Sequence, residues 1–549
     1  SYFYEFGVAV TAAVSVSIVV AFTLTPMLAS RMLSQSSDPG WLFRLFERAL
    51  HNLDAGYRWL LARSLRHKGV TLAVGAAAIA GGCGVASTLP FDLYARGDMS
   101  EVLVQAKFPI GTPLSVSDRL LRRMEAEVMR HPDVRDAFAA AGSELRHEPH
   151  RARIEVMLID KQERDSALPV TFDELRNRLI PAVPEAEEIT VGLPSYGDTQ
   201  GTHTDLNYSL QGPNLDRLER YANQLTARMR ADPVFVDVST SFEAGKPQIT
   251  LDVDRGRAAD LGVSAVAIGR TIRTLLAGEK VGSFEEGGRR HDVRVQVMPE
   301  YRDDPAKIDL IRVRSLRREL VPITSAASVK LEEGPVEIQR ENRTRKIGIY
   351  ANMAPGFPLS VGATKFEAWG AELGIQAPDE IAAGGRVRVM GELVSDVSFA
   401  FGLGLLAIYM ILASLFNSFT HPFTIMMSAP LSFIGGFVAL KVLGMSLDMM
   451  SSVGLLVLMG LVMKNGILLV DYTNQLREAG RSREEALLEA GPVRMRPVLM
   501  TSGALIFGML PMVLTEATGS EFRAPMAAIT MGGLFTSTLL TLIVVPVVY

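Results

Sequence analysis

Lys464 is a lysine in a costly place. It lies near the middle of an apolar run, GLLVLMGLVMKNGILLVDY, that is long enough to cross a bilayer. An ammonium at that depth costs about 2.5–3.5 kcal/mol on insertion scales, so it must face a protein interior and pair with an anion. Snorkelling is the competing reading. The basic end of the run near Arg477 lies 13 residues on, about 20 Å away along a helix and beyond a lysine's reach. No acidic residue of this chain lies deep enough to be its partner. Asn465, beside it, is expected to hydrogen-bond within a helix bundle. Asp471 faces the same way seven residues later, about 10 Å off, and reads as a charge at the end of the helix, with a proton exit role as the alternative. In the next apolar run Arg494 and Thr501 share a face. Arg494 reads either as a site residue or as an ordinary basic flank. Thr501 could hold a water or a carboxylate, or bond back to its own helix.

Other apparent motifs fail on context. Gly402–Ala407 spells G-x-G-x-x-A inside an apolar helix, not after a strand. His147-Glu148-Pro149-His150 lacks the H-E-x-x-H spacing, and its proline opposes the helix that motif needs. The chain has no G-x-x-x-x-G-K-[ST] loop and no G-x-S-x-G elbow. Met426-Met427 and Met449-Met450 could suggest soft-metal ligands, but in apolar helices they read as packing.

These residues need a bilayer-spanning frame, and the chain supplies one. A mean hydropathy of +0.20 over 549 residues points to membrane segments diluted by a large polar region. Apolar windows run over about Phe6–Leu28, Gly69–Leu89, Val397–Phe416, Pro422–Leu440, Met449–Tyr472, Val498–Leu514 and Ala524–Val548. Seven such windows exceed what any soluble core needs. Arg31, Arg44, Arg48, Arg58, Arg63, Arg66 and Lys68 follow the first, and Arg477, Arg481, Arg483, Arg494 and Arg496 follow the fifth. Both clusters fall on one side, which the positive-inside rule makes cytoplasmic, so Phe91–Glu392 lies outside. WLFRLFERALHNLDAGYRWLL reads as an amphipathic helix on the inner membrane surface, in contact with lipid. A net charge of −4 argues against nucleic acid, and one cysteine, Cys83, rules out a disulfide framework. Both ends of the sequence fall inside apolar runs, which suggests a fragment cut within membrane helices.

The polar region reads as α+β. EVLVQAKF, VRDAFAAA and RIEVMLID are strands around the helices SVSDRLLRRMEAEVMRH and TFDELRNRLI. The pattern then recurs: strand DLNYSLQG, helix NLDRLERYANQLTARMRAD, strands FVDVSTSF and PQITLDVD, and helix VSAVAIGRTIRTLLAG. Turn signals recur with it, at His131-Pro132-Asp133-Val134 and Asp232-Pro233-Val234. Paired, ferredoxin-like split βαβ units are expected. Gly278–Val336 reads as an inserted, mostly β subdomain.

At this level the chain resembles the C-terminal half of a resistance–nodulation–division (RND) efflux transporter, of the hydrophobe/amphiphile branch. The motifs are LTPML, FPIGTPL, DVDRGRAADLGV, GPVEIQREN, VMKNGILLVDYTN and RMRPVLMTS. The resemblance implies an α-helical transmembrane bundle with periplasmic porter and docking subdomains. The expected boundaries are 1–30 and 69–91 for the first two spans, with a cytoplasmic amphipathic linker over 31–68. They continue as 92–203 for one porter subdomain, 204–248 and 335–392 for a second, 249–334 for docking, and 393–549 for five spans. The resemblance further implies a homotrimer in the bacterial inner membrane, a periplasmic adaptor and an outer-membrane channel. It implies a secondary transporter, not an enzyme, with no cofactor beyond the proton-motive force. Lys464, Asn465, Arg494 and Thr501 fall on its proton relay, with Lys464 paired to carboxylates that lie upstream of Ser1 in the family.

Drug-exporting members carry a glycine- and phenylalanine-rich switch loop, where this chain reads SELRHEPHRAR after Phe138. Phe138, Leu145, Arg146 and Arg151 are therefore the expected substrate contacts, and the loop's charge favours amphiphilic or anionic compounds over neutral aromatic dyes, the competing reading being a solvated loop that never meets substrate. The rival readings are a heavy-metal exporter of the same family and a non-transporting scaffold or sensor, which a lysine in mid-membrane argues against.

Overall fold

The computed structural model describes residues 2–32, 41–94, 97–142, 148–164, 166–194, 204–242, 246–301, 304–334 and 337–549. The chain opens with α1 (Tyr2–Met32), α2 (Trp41–Arg66) and α3 (Lys68–Thr88). α1 is exposed along its span, as an all-apolar helix is when lipid or another chain segment must cover it. α2 is two-faced. Tyr57, Leu61 and Leu65, spaced at i, i+4 and i+8, bury against Leu487, Met495, Val498 and Leu542, while Arg58, Arg63 and Arg66 stay exposed.

The strand-rich region begins with β1 (Glu101–Lys107), α4 (Leu114–Val128), β2 (Val134–Ala141), β3 (Arg151–Leu158), α5 (Leu168–Ala182) and β4 (Glu188–Gly192). These strands form an antiparallel sheet in the order β2-β3-β1-β4. Alternate β3 residues Ala152, Ile154, Val156 and Leu158 point into a core shared with Leu121, Met124, Leu175 and Leu179. Its other face mixes Arg151, Arg153 and Glu155 with the exposed Met157.

The second unit starts as the sequence suggests, with β5 (Leu206–Gly212), α6 (Leu215–Ala231) and β6 (Phe235–Thr240). It does not continue so. β7 (Lys246–Val253) leaves this sheet, followed by α7 (Arg255–Asp260), α8 (Ala265–Ile272), β8 (Glu279–Glu286), β9 (Arg289–Val295), β10 (Arg312–Arg314), β11 (Leu320–Pro322) and β12 (Ala327–Gly334). PQITLDVD pairs with β12, and the helix after it packs into a small separate core with Ile308, Ile311, Val313 and Ile323. That helix is α-helical only to Ile272 and closes in a wider turn, Arg273–Gly278. The second sheet is completed by β13 (Arg340–Glu341), β14 (Thr344–Met353), α9 (Leu359–Glu372) and β15 (Glu380–Ala383), in the order β13-β14-β5-β15 with β6 on β14. Periodicity shows that a segment is a strand. It does not show which strand lies next to it.

The chain then returns to the membrane helices: α10 (Gly385–Phe416), α11 (His421–Met426), α12 (Ser428–Val442), α13 (Met449–Glu478), α14 (Arg483–Leu514) and α15 (Ala524–Val548). α10 begins well before the apolar run, so one rod joins two cores: Val387 belongs to that of the second sheet and Leu412 to that of the bundle. The fourth span breaks at Met427 between α11 and α12. α13 and α14 start in capping boxes, Asp448 with Ser451 and Ser482 with Glu485. α12 and α15 cross at Gly435 and Gly532, where a Cβ on Gly532 would lie 2.3 Å from the Gly435 carbonyl oxygen. Among the described residues, seven spans are long and apolar enough to cross a membrane.

Candidate functional site

Lys464 lies one turn beyond Gly460 and Leu461 on α13, half-buried. Those two residues, with Val453 and Val457, line an apolar cleft of about 670 Å³ between α13, α10, which contributes Asp396 and Phe399, and α1, which contributes Val10. Lys464 thus continues the α13 face that borders the cleft. Among the described residues, no hydrogen bond or ion pair involves its ammonium. Asn465 is 2% exposed, and both polar atoms of its amide lack a partner there. A buried amide with four unused hydrogen-bonding positions is a costly arrangement. The α13 backbone around the pair is held closely: Gly466 sits against Ile425, and Ser428 lies 3.7 Å from the Met463 sulfur.

The other relay candidates are not brought into contact with Lys464 by any hydrogen bond. The Arg494 guanidinium stacks 4.8 Å above the Tyr472 ring, and its Nε has no hydrogen bond among the described residues. The Thr501 hydroxyl donates to the Val498 carbonyl at 3.2 Å, which is back-bonding to its own helix. Next to it Ser502, the residue sequence reasoning passed over, accepts from Thr538 at 2.8 Å and ties α14 to α15. Asp471 accepts from Gln475 at 2.9 Å.

In the strand-rich region Phe138 is 57% exposed on β2, opposite Glu155. Arg151 is exposed on β3 and lies 2.9 Å from Glu148. Leu145 and Arg146 fall outside the described residues. The register aligns Arg151, Lys107 and Glu188 in one row across three strands. Burial pushes the Glu188 carboxyl above its ordinary range, against the opposing pull of Ser239, Lys107 and Arg151. Sequence reasoning missed Glu188, because its surroundings come from two distant strands and from the second sheet. The two sheets are joined by a fork: Arg176 donates to Asp237 at 3.1 and 3.0 Å, and Asn352 donates to the same carboxylate at 2.9 Å. Among the described residues no cluster of three or more His, Cys, Asp or Glu side chains is disposed to hold a metal ion.

A bundle of spanning helices carrying one interior lysine, interrupted by two α/β sheets and a β insertion, defines a multi-pass membrane protein with the fold of an RND pump. The AcrB/AcrD/AcrF family model matches residues 1–549, and the chain belongs to that family. Two crystal forms of a heavy metal efflux pump are similar to it. One aligns with a TM-score of 0.81 at 25% identity, covering 91% of this chain and 52% of that one. The other aligns at 0.78 and 24%, with the same coverage. The chain therefore spans about half the length of these structures.

Proposed function

We propose that this chain is the C-terminal half of a proton-driven efflux pump of the bacterial inner membrane. The reading rests on Lys464, a mid-span cation with no partner among the described residues, since such a charge needs a carboxylate supplied from elsewhere. If that carboxylate takes up a proton, its attraction for Lys464 falls and the helices bearing the two can shift. Asn465, Arg494 and Thr501 belong to the same path. The boundaries follow the same proposal: two ferredoxin-like porter subdomains over 92–203 and over 204–248 with 335–392, and a docking subdomain over 249–334. The assembly is a homotrimer with a periplasmic adaptor and an outer-membrane channel, and its energy source is the proton-motive force. Substrates are small amphiphiles, anionic ones foremost, meeting Phe138, Leu145, Arg146 and Arg151. Heavy-metal export is the second reading, favoured by the likeness to a heavy metal efflux pump. The complete transporter in liposomes under an imposed pH gradient separates the two, with taurocholate, ethidium and zinc ion as probes. Gradient-dependent movement of taurocholate supports the first, and of zinc alone the second. No gradient-dependent proton flux with any probe rejects proton-driven export.

A further inference from the structure

Three helices separate α13 from the second sheet along the chain, yet its first turn is hydrogen-bonded to the segment that enters the first sheet. The turn before α13 lies beside residues 90–93, which lead from α3 into the first sheet. Leu447 N–H donates to the Pro90 carbonyl at 2.8 Å, Asp92 N–H to Leu447 at 3.0 Å, and Met449 N–H to Leu93 at 3.1 Å. Phe91 and Leu447 face each other as a parallel bridge. Asp92 is buried, and its carboxylate lies 3.4 Å from Arg386, in the first turn of α10. The same guanidinium pairs with Asp205, at the start of β5, and stacks 4.6 Å over Tyr94. Asp205 in turn accepts from the Met353 N–H of β14 at 3.1 Å. The segment also meets the α14–α15 turn. The Tyr94 ring lies 6.2 Å from that of Phe522, which packs on Gly97, and Lys161 pairs with Glu521.

We propose that residues 90–94 are a strap that carries movement of the Lys464 helix to the second sheet, with Arg386 as its positioning residue. This rests on the proton-driven reading above. The physical argument is one of stiffness. Three main-chain bonds make the strap and the α13 turn one body. A buried cation held between two carboxylates and a ring couples that body to β5 and β14, because shifting one carboxylate leaves the guanidinium underpaired. Arg386 is suited to this and lysine is not, since only a planar fork can engage two carboxylates while stacking on Tyr94.

The test is a double-mutant cycle read by amide hydrogen exchange in the complete transporter. Lys464→Met is expected to change exchange at 90–94 and in β5 and β14 by about threefold or more. In an Arg386→Met background the strap should still respond and the two strands should not. An equal response of β5 and β14 in both backgrounds, or no response to Lys464→Met beyond α13, overturns the strap. Should Arg386→Met fail to fold, Phe91→Cys with Leu447→Cys in a Cys83→Ser background decides the matter. The disulfide form must pass the Lys464→Met response to β5 as the reduced form does, and its loss on oxidation overturns the proposal. Export by Lys464→Met at the wild-type rate would reject the proton-driven reading itself, a result distinct from each of these.

Discussion

In the strand-rich region Arg164 meets Asp98, Arg176 grips Asp237 through two bonds, and Arg217 pairs with Asp379. In the spanning helices Lys464 and Asn465 have no such partner among the described residues. The first region behaves as a soluble fold does: each of these cations sits against a carboxylate of the same chain, because an unpaired buried charge costs several kcal/mol. The second carries its polar groups on a helix whose face borders an apolar cleft. What differs is where the compensation comes from. Charges in the strand-rich region are compensated within it, whereas the α13 pair calls for something beyond the described residues, which is the arrangement the proposed switch requires.

The sharpest way to break this contrast is Lys464→Met, which keeps length and apolar packing. In the complete transporter it should bring proton-driven export to background while leaving membrane level and assembly near normal. Lys464→Arg should restore only part of it. Transport by the methionine variant at the wild-type rate would make Lys464 a tolerated charge and erase the distinction. On the other side of the contrast, Asp237→Asn should lower stability by about 3 kcal/mol, read as a fall in melting temperature. The low end of the range for a broken buried pair applies, because Arg176 keeps Asp173. An unchanged melting temperature would show that the fork does not hold the sheets together.

Packing gives a smaller effect. Gly532→Ala should cost about 1–3 kcal/mol, because its methyl meets main chain at Gly435 and cannot be accommodated by a side-chain rotation. Reduced helix–helix cross-linking between α12 and α15 would report it. The smallest effect is expected at Glu188. Its carboxyl is raised in the folded state, so it lowers stability above that raised value, and the cost fades as pH falls towards the ordinary 4.5. Glu188→Gln should therefore raise the melting temperature slightly at pH 7 and not below pH 4.5. A gain independent of pH would point to packing instead of charge.

The elements themselves were largely legible. Strand and helix periods placed β1 to β3, β5 to β7 and α4 to α6 but passed over the short β4, and hydropathy placed the spans, because each depends on neighbours within a few residues. Pairing was not. β7 reads like a third strand of the second unit yet joins β12, and the strand that completes the second sheet beside β5 is β14, far along the chain. The site divides the same way. Lys464 is visible from cost alone, since one charge in an apolar run is anomalous whatever surrounds it. Thr501 and Arg494 needed coordinates, because a hydroxyl's choice between its own helix and a neighbour is a matter of ångströms.

By itself, then, the sequence determined that this protein spans a membrane, that a strand-rich region interrupts the spans, and that one lysine lies too deep to be solvated. Those properties follow from transfer free energies, which depend on residue type and run length. Only the tertiary structure decided that α10 runs unbroken from one core to the other and that residues 90–94 bind the head of α13. It also decided that Arg386 joins Asp92 to Asp205. These are contacts between residues up to hundreds of positions apart, and their geometry is set by how whole elements pack, which no local pattern encodes.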